Sequence, residues 1–307
     1  MTRWFHERGS LAQDGWESVI DGSLPGWEHT GLRVARLASG DQVALDTNGV
    51  ERIIVPLAGS FTVTHAEAGT EIVTELAGRA SVFDGPTDVL YLSAAATARI
   101  TGTGRVAVAT SPTSDLRPTR HIAAAETPVE LRGAGTSSRQ VHNFGTPGTL
   151  DAARLIVCEV ITPHGNWSSY PPHKHDEQVP GHESQLEEIY YFEAEPTRGA
   201  TAPDPDAAFG MFSTYSSPAG DIDIHAMVRT GDVALVPYGF HGPAVAAPGY
   251  DLYYLNVMAG PGAERAWLIS DDPAHGWVRD LWTDEAVDPR LPYVGLEDGS
   301  DQEGTSR

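Results

Sequence analysis

Cysteine and long apolar runs are scarce in this chain, and each scarcity excludes a class of protein. Cys158 is the only cysteine among 307 residues, so no disulfide forms within the chain and a reducing compartment is expected. No apolar run reaches the length of a membrane span, and the N-terminal residues lack the apolar core of a signal peptide. The sequence predicts a cytoplasmic protein that does not associate with membranes.

Basic side chains are also few. The chain has 20 lysines and arginines against 42 aspartates and glutamates, which gives a formal net charge of −22. A nucleic-acid-binding protein needs a basic surface that neutralises phosphates, so this charge balance argues against a nucleic-acid partner. Lys174 is the only lysine, and it lies between two histidines.

Short apolar segments dominate the chain between residues 30 and 260. Segments such as 52–57, 105–109 and 154–161 are rich in β-branched residues and have the length of strands. Turn-forming residues separate them, in keeping with 32 glycines and 22 prolines, and no helical pattern of three or more turns is evident. The predicted class is all-β, a sandwich or a barrel.

The chain also resembles two unequal copies of one plan. A predicted strand that begins with an acidic residue lies at 51–59, and a glycine turn with a second strand follows at 85–92. The same order recurs in the second half, at 187–192 and 231–237. The repetition predicts two domains of the same fold. The predicted boundaries are 1–135 for the first domain, 136–285 for the second and 286–307 for a flexible polar tail.

A histidine-rich stretch in the second half carries the chemistry. His173 and His175 share one face if the segment is a strand, with Lys174 on the other face, and two imidazoles on one face can bind a transition metal. Two further pieces follow: a strand at 186–192 that begins with carboxylates, and a strand whose Pro-x-Gly turn presents His241.

Together these pieces resemble the two sequence motifs of the cupin superfamily, although the spacings differ from the usual ones. The resemblance implies a bicupin, two jelly-roll β-barrels. It also implies one divalent transition metal per chain, Zn, Mn, Fe or Ni, with open coordination positions. The implied ligands are His173, His175, Glu188 and His241. Glu188 is preferred to Glu187 because it directly precedes Ile189, as the cupin glutamate does; Glu187 would then face outward or into the lip of the barrel.

The first half shows the same layout without the histidines. No His-x-His precedes Glu51, and a serine and three alanines at 93–96 stand where the second motif would present its histidine. His65 alone cannot form a metal site. We expect the N-terminal domain to be a metal-free scaffold, which leaves one active site per chain.

Several longer stretches resemble a narrower family, the 5-deoxy-glucuronate isomerases of myo-inositol catabolism. They are residues 139–143, 165–176, 186–192, 248–261 and 271–277. The resemblance implies conversion of 5-deoxy-D-glucuronate to 2-deoxy-5-keto-D-gluconate, an aldose–ketose isomerisation of a small sugar acid. The sequence leaves open whether the protein is a homo-oligomer.

Such an isomerisation needs a group that moves a proton and a positive charge that stabilises the ene-diolate. His225 is the predicted acid and base, Arg229 is predicted to bind the substrate carboxylate, and Tyr254 a hydroxyl. His225 and Arg229 share one face of a predicted strand.

Three other functions fit the same pattern. One is the related ketol-isomerase that acts on 5-dehydro-4-deoxy-glucuronate, another is a cupin dioxygenase, and the third is a sugar-binding cupin without enzymatic activity. The stretch from Ser168 to His175 argues for the inositol branch, and the lack of a basic DNA-binding segment argues against a regulator.

Overall fold

The structure is a computed structural model, and it describes residues 3–46, 49–67 and 69–294. A short first strand, β1 (Phe5–His6), belongs to the C-terminal barrel. The N-terminal barrel follows, and its strands are β2 (Ser18–Ile20), β3 (Gly31–Leu37), β4 (Gln42–Leu45), β5 (Val50–Glu67), β6 (Thr70–Arg79), β7 (Val89–Leu92), β8 (Thr97–Pro112) and β9 (Arg120–Ile122).

Two long strands organise the N-terminal barrel. Its antiparallel sheet has the order β2-β3-β8-β5-β7-β9, with β4 paired to β8 and β6 paired to β5. Strands β5 and β8 pair along almost their whole length, and each changes its second neighbour halfway, so both bend from one face of the barrel to the other. Gly59 lies at this bend with φ +92°, and an added Cβ would lie 1.9 Å from the Thr103 carbonyl oxygen.

The C-terminal barrel consists of two sheets that enclose the predicted metal site. Strands β1-β18-β15-β20-β12-β11-β10 form one sheet and β17-β16-β19-β14-β21 the other, with β13 paired to β19. The bounds are β10 (Val129–Arg132), β11 (Arg139–Gly145), β12 (Ile156–Thr162), β13 (Trp167–Ser168), β14 (His173–Lys174), β15 (Glu187–Pro196), β16 (Gly210–Ser217), β17 (Gly220–Val228), β18 (Val233–Val236), β19 (Phe240–Ala246), β20 (Tyr250–Ala259) and β21 (Ser270–Asp271).

Helices are short in the described part of the chain. Four 3-10 turns lie at Val82–Asp84, Ala124–Glu126, Gly135–Ser137 and Pro205–Ala207, and one α-helical turn, α1, spans Val278–Leu281. None of these helices is long and apolar enough to cross a bilayer. The predicted all-β class with two jelly-roll barrels is confirmed, because antiparallel strands build both halves.

The two barrels pack sheet against sheet through matching glutamates. The Glu51 carboxylate, at the start of β5, accepts hydrogen bonds from the backbone N–H groups of residues 153–155 of the other barrel at 2.6–2.7 Å. Glu187, at the start of β15, accepts bonds from the N–H groups of residues 28–30 at 2.5–3.1 Å. The layout that the sequence repeats therefore has a structural counterpart, in which each barrel binds one loop of the other.

Both predicted domain boundaries differ from those that the strand pairing and packing of the structure show. The boundary at 135/136 falls between β10 and β11, which pair with each other in the C-terminal sheet. Residues 286–294, predicted as part of a flexible tail, instead pack on the C-terminal barrel: Tyr293 is 4% exposed and its hydroxyl donates to Asp251 at 3.0 Å. Composition suggested a tail because it cannot show such long-range contacts. Residues 295–307 lie outside the described residues.

A carboxylate near the junction of the barrels gives the fold a testable pH dependence. Glu195 on β15 lies opposite Asp251 on β20, and its Oε2 accepts a bond from Ser81 of the N-terminal barrel at 3.2 Å. Burial, reinforced by the charges of Asp251 and Asp84, raises the pKa of Glu195 to about 7. Because the folded state holds this proton more tightly than the unfolded chain, its contribution is complete below the ordinary carboxyl pKa and is lost as pH rises through about 7.

We therefore expect Glu195→Gln to raise the melting temperature at pH 8 but to leave it nearly unchanged at pH 5. Since Glu195 is only partly buried, the expected gain is about 1–2 kcal/mol, or a few degrees. Thermal unfolding of both proteins at the two pH values measures the difference. A gain of the same size at both pH values would mean that ionisation of Glu195 is not the cause.

Candidate metal centre and its pocket

Three strands and one loop bring the predicted ligands together inside the C-terminal barrel. Glu188 lies on β15 and is 2% exposed, and His241 lies at the start of β19 and is fully buried. His173 on β14 pairs with His241 across the sheet, and His175 follows two residues later. Ligand atoms of His175, Glu188 and His241 all lie within 4.8 Å of one another.

His173 stands beside this group. Its ring centroid lies 4.6 Å from that of His241, which in turn lies 4.6 Å from that of His175. Glu188 Oε2 is 3.0 Å from His175 Nε2 and 3.1 Å from His241 Nε2. Three of the four predicted ligands, His175, Glu188 and His241, therefore converge, and His173 borders them; these four side chains are called the metal group below.

Hydrogen bonds to backbone carbonyls orient the three imidazoles. The Nδ1 atoms of His173, His175 and His241 lie 3.1, 3.0 and 3.2 Å from the carbonyl oxygens of Pro171, Leu186 and Gly239, respectively. A carbonyl oxygen only accepts hydrogen bonds, so each Nδ1 carries the proton. In the neutral imidazoles Nε2 then presents its lone pair, which is the arrangement seen in histidine metal ligands.

The charge of the group also fits a cation. Burial alone would raise the pKa of Glu188, but the adjoining His175 and His241 imidazoles lower it to about 2, so the carboxylate is ionised. Burial and the neighbouring His241 hold the pKa of His173 well below its ordinary value, which keeps this imidazole neutral. The buried His241 Nε2 has no hydrogen-bond partner. One anionic oxygen facing imidazole lone pairs is the donor set that a divalent transition metal binds.

A close contact explains why glycine follows His241. Gly242 has φ +90°, and an added Cβ would lie 1.8 Å from the carbonyl oxygen of Ser169. A larger residue would push β19 away from the loop that precedes β14, and it would separate His241 from His173.

Glu187 and Lys174 both point away from the metal group. Glu187 faces out of its own barrel, but it is only 6% exposed because its carboxylate binds the loop at residues 28–30 of the other barrel. The Lys174 ammonium contacts Asp176, Glu177 and Glu183, and so it neutralises a second group of carboxylates in this barrel.

In the N-terminal barrel an arginine stands where Glu188 stands in the C-terminal one. Arg52 follows Glu51 as Glu188 follows Glu187, and its register to β7 and β8 matches that of Glu188 to β18 and β20. Its guanidinium donates to the backbone carbonyls of Asp46 and Ala96. A fixed positive charge at this point disfavours a cation, which supports the prediction of a metal-free scaffold.

The structure corrects two predicted site residues. His225 lies on the edge strand β17, where Ile222 and Ile224 face the core, so His225 faces solvent with 63% of its side chain exposed. Arg229 lies beyond the end of the same strand and lines a separate surface cavity. The alternation of side chains along a strand correctly places His225 and Arg229 on the same face, but it does not say which face is exposed to solvent. Neither residue lines the metal pocket, so neither has the predicted role.

The metal group opens into a cavity of about 380 Å³. Tyr254 lines this cavity, as a substrate-binding residue must, and its contact with a substrate hydroxyl stays a prediction. Tyr190 and Tyr254 are buried, and burial raises the pKa of both phenols, so both stay protonated. Polar residues that line the pocket and had no predicted role include Arg132, Arg139, Tyr190, Asn256, Asp271 and Arg279.

Two of these residues had a detectable signal in the sequence. Tyr190 lies two residues after Glu188 on the same strand, so strand parity places it on the metal side. Arg139 begins a stretch that resembles the isomerase family. Asp271 and Arg279 are joined by hydrogen bonds of 2.5 and 2.7 Å, and they reach the pocket only because the segment after β20 folds back over it.

Comparison with known proteins decides the family. The sequence profile of the KduI/IolB family matches residues 4–278, and this stretch is most of the chain. The chain belongs to the KduI/IolB family. Members similar to it include a 5-deoxy-glucuronate isomerase of Geobacillus kaustophilus, 39% identical over 90% of this chain and 92% of that one. The isomerase of Bacillus subtilis strain 168 is 39% identical over 80% of this chain and 86% of its own.

Solved structures agree on the fold. An IolB-like protein of Salmonella typhimurium superposes with a TM-score of 0.79 at 33% identity and covers 90% of this chain and 98% of its own. An oxalate decarboxylase of Lactobacillus farciminis superposes with a TM-score of 0.61 at 11% identity, covering 88% of this chain and 89% of its own. The KduI/IolB chain thus shares its two-barrel fold with proteins of very different sequence.

Proposed function

We propose that this protein is a metal-dependent aldose–ketose isomerase that converts 5-deoxy-D-glucuronate to 2-deoxy-5-keto-D-gluconate. The observation that carries the proposal is the buried cluster of His175, Glu188 and His241, with His173 beside it, next to a pocket that arginines line. The pocket has the charge that a sugar acid requires, and the relatives named above are 5-deoxy-glucuronate isomerases. Cytoplasmic location and homo-oligomerisation stay predictions.

His173, His175, Glu188 and His241 would hold the metal, with Zn, Mn, Fe and Ni all compatible with this donor set. A bound divalent metal supplies a Lewis acid for the two oxygens of the reacting aldehyde and alcohol. The reaction then requires one proton to move from C2 of the aldose to C1 and another from the C2 hydroxyl to the C1 oxygen, and the protein's own groups must carry the first.

Asp271 is the residue best placed to move that proton. Among the described residues that line the pocket, the groups that can exchange protons and are not proposed ligands are Asp271, Tyr190 and Tyr254. Both phenols stay protonated and can only donate hydrogen bonds to substrate oxygens, so they do not act as the base. Asp271 pairs with His173 across the strands, so it lies beside the metal group, and its carboxylate can take the proton from C2 and return it to C1.

The related ketol-isomerase that acts on 5-dehydro-4-deoxy-glucuronate is the second candidate, because the same site could bind either acid. The Geobacillus and Bacillus relatives named above are 5-deoxy-glucuronate isomerases, which favours the first substrate.

A coupled assay tests the proposal. Purified protein should isomerise 5-deoxy-D-glucuronate, lose activity on treatment with a chelator, and regain it when one divalent metal is added back. The second acid serves as the comparison substrate in the same assay. Higher kcat/KM on that acid would transfer the assignment to the second candidate, and full activity after complete metal removal would contradict a metal-dependent mechanism.

A further inference from the structure

Arg139 carries a charge that forms no ion pair with any carboxylate of the described protein, although the charge of Glu130 acts on it from a greater distance. It begins β11, is 5% exposed, and donates from Nη1 to the backbone carbonyl of Ser137 at 2.9 Å. Its guanidinium lies 5.4 Å from the centre of the Trp282 ring. No ion pair joins it to an acidic side chain within residues 3–46, 49–67 and 69–294.

Other arginines nearby do have carboxylate partners. Arg79, also buried, forms two hydrogen bonds with Glu159 at 2.6 and 2.7 Å. In the pocket itself Arg132 pairs with Glu130, and Arg279 pairs with Asp271. Buried charges in proteins are normally paired, since an unpaired one loses its hydration without compensation. Arg139 is therefore the exception that needs explaining.

The surroundings of Arg139 make an anionic partner more favourable still. Burial, with the positive charges of Arg132 and Arg279, lowers the pKa of Arg139 to about 10, although Tyr254 and the charge of Glu130 act in the opposite direction. Two further donors of the pocket wall have no partner: Asn256 Nδ2, on a side chain that is 3% exposed, and Trp267 Nε1. Arg139, Asn256 and Trp267 thus present hydrogen-bond donors to the pocket, which suits a ligand group that only accepts hydrogen bonds, such as a carboxylate.

We propose that Arg139 binds the carboxylate of the substrate and thereby makes the pocket select sugar acids over neutral sugars. The substrate's identity rests on the proposed function, whereas the need for a carboxylate rests on the unpaired guanidinium. The planar guanidinium can donate two parallel hydrogen bonds to one carboxylate, and this contact fixes the end of the sugar remote from the metal group. Arg139 takes the role that the sequence analysis gave to Arg229.

Binding measurements on the metal-loaded protein test this role. The probes are 5-deoxy-D-glucuronate, supplied as its equilibrium mixture with the ketose, and the uncharged 5-deoxy-D-glucose, both titrated calorimetrically. The wild-type protein should bind the acid more tightly. Arg139→Gln should weaken binding of the acid about 10–100-fold, the fold-change expected for one hydrogen-bonded charge, and should leave the neutral sugar unaffected.

Two variants and one stability measurement provide controls. Arg229→Gln makes the same chemical change on the exposed face and should bind both sugars as the wild type does. Arg139→Lys keeps the charge without the planar fork and should give intermediate affinity. Because Arg139 has no ion pair to lose, the melting temperature of Arg139→Gln should not fall appreciably.

The outcomes separate this proposal from the proposed function. If the wild type fails to isomerise 5-deoxy-D-glucuronate but its binding depends on Arg139, the isomerase assignment fails and the carboxylate site stands. The proposal is overturned if Arg139→Gln binds the acid as tightly as the wild type does. It is also overturned if the substitution weakens binding of the acid and of the neutral sugar equally, because Arg139 would then not recognise the carboxylate.

Discussion

Glu188→Gln is expected to empty the metal site and abolish turnover. The carboxylate is the only anionic side chain of the proposed donor set, and it lies 3.0 and 3.1 Å from two imidazole nitrogens. An amide removes the negative charge and brings N–H donors that compete with the metal. Loss of a partner that merely supports a metal ligand lowers affinity about 10–100-fold, so loss of the ligand itself should exceed that range. Elemental analysis after dialysis should show about one metal per wild-type chain and almost none in the variant.

Glu187→Gln is the matched control, because it makes the same change one residue earlier on the other face of β15. Its carboxylate binds backbone N–H groups at residues 28–30, so the variant should melt at a lower temperature but keep its metal and most of its turnover. The reverse pattern, with metal lost from the Glu187 variant and kept by the Glu188 variant, would refute the ligand assignment.

Asp271→Asn is expected to lower kcat by about 10²–10⁴-fold while the metal stays bound. An amide cannot take a proton from carbon, and it leaves the proposed ligands unchanged. KM should change far less than kcat, since the lost interaction belongs to the transition state. Steady-state kinetics on 5-deoxy-D-glucuronate, together with metal analysis of the same samples, measures both quantities.

Asp272→Asn controls for the local fold. The Asp272 carboxylate accepts a hydrogen bond from Tyr215 and does not line the pocket, so turnover should be nearly normal. The reaction run in D₂O with wild-type protein adds a second measurement, because a carboxylate that carries the proton can exchange it with solvent. Normal kcat in the Asp271 variant would exclude Asp271 as the base, whereas product without deuterium would favour a direct hydride shift between the two carbons.

Local patterns in the sequence were sufficient for the fold class and for the proposed ligands. Short runs of β-branched and aromatic residues separated by turn residues predict strands wherever they occur. Within a strand, side chains alternate between its two faces. The same alternation put Glu188 and Glu187 on opposite faces, and the structure shows Glu188 between His175 and His241. The resemblance to the isomerase family added the chemistry that these residues serve.

Only the tertiary structure decided which side of each strand faces the pocket. His225 and Arg229 share a face in the sequence, but β17 is an edge strand whose other face covers the core, so the shared face is the solvent side. In the same way, Asp271 and Arg139 are 132 positions apart and meet in one cavity because β21 and β11 border it from different sheets. The alternation of side chains depends only on a few neighbouring residues of one strand. A pocket is formed by residues far apart in the chain, and which of them come together depends on how the sheets close into a barrel.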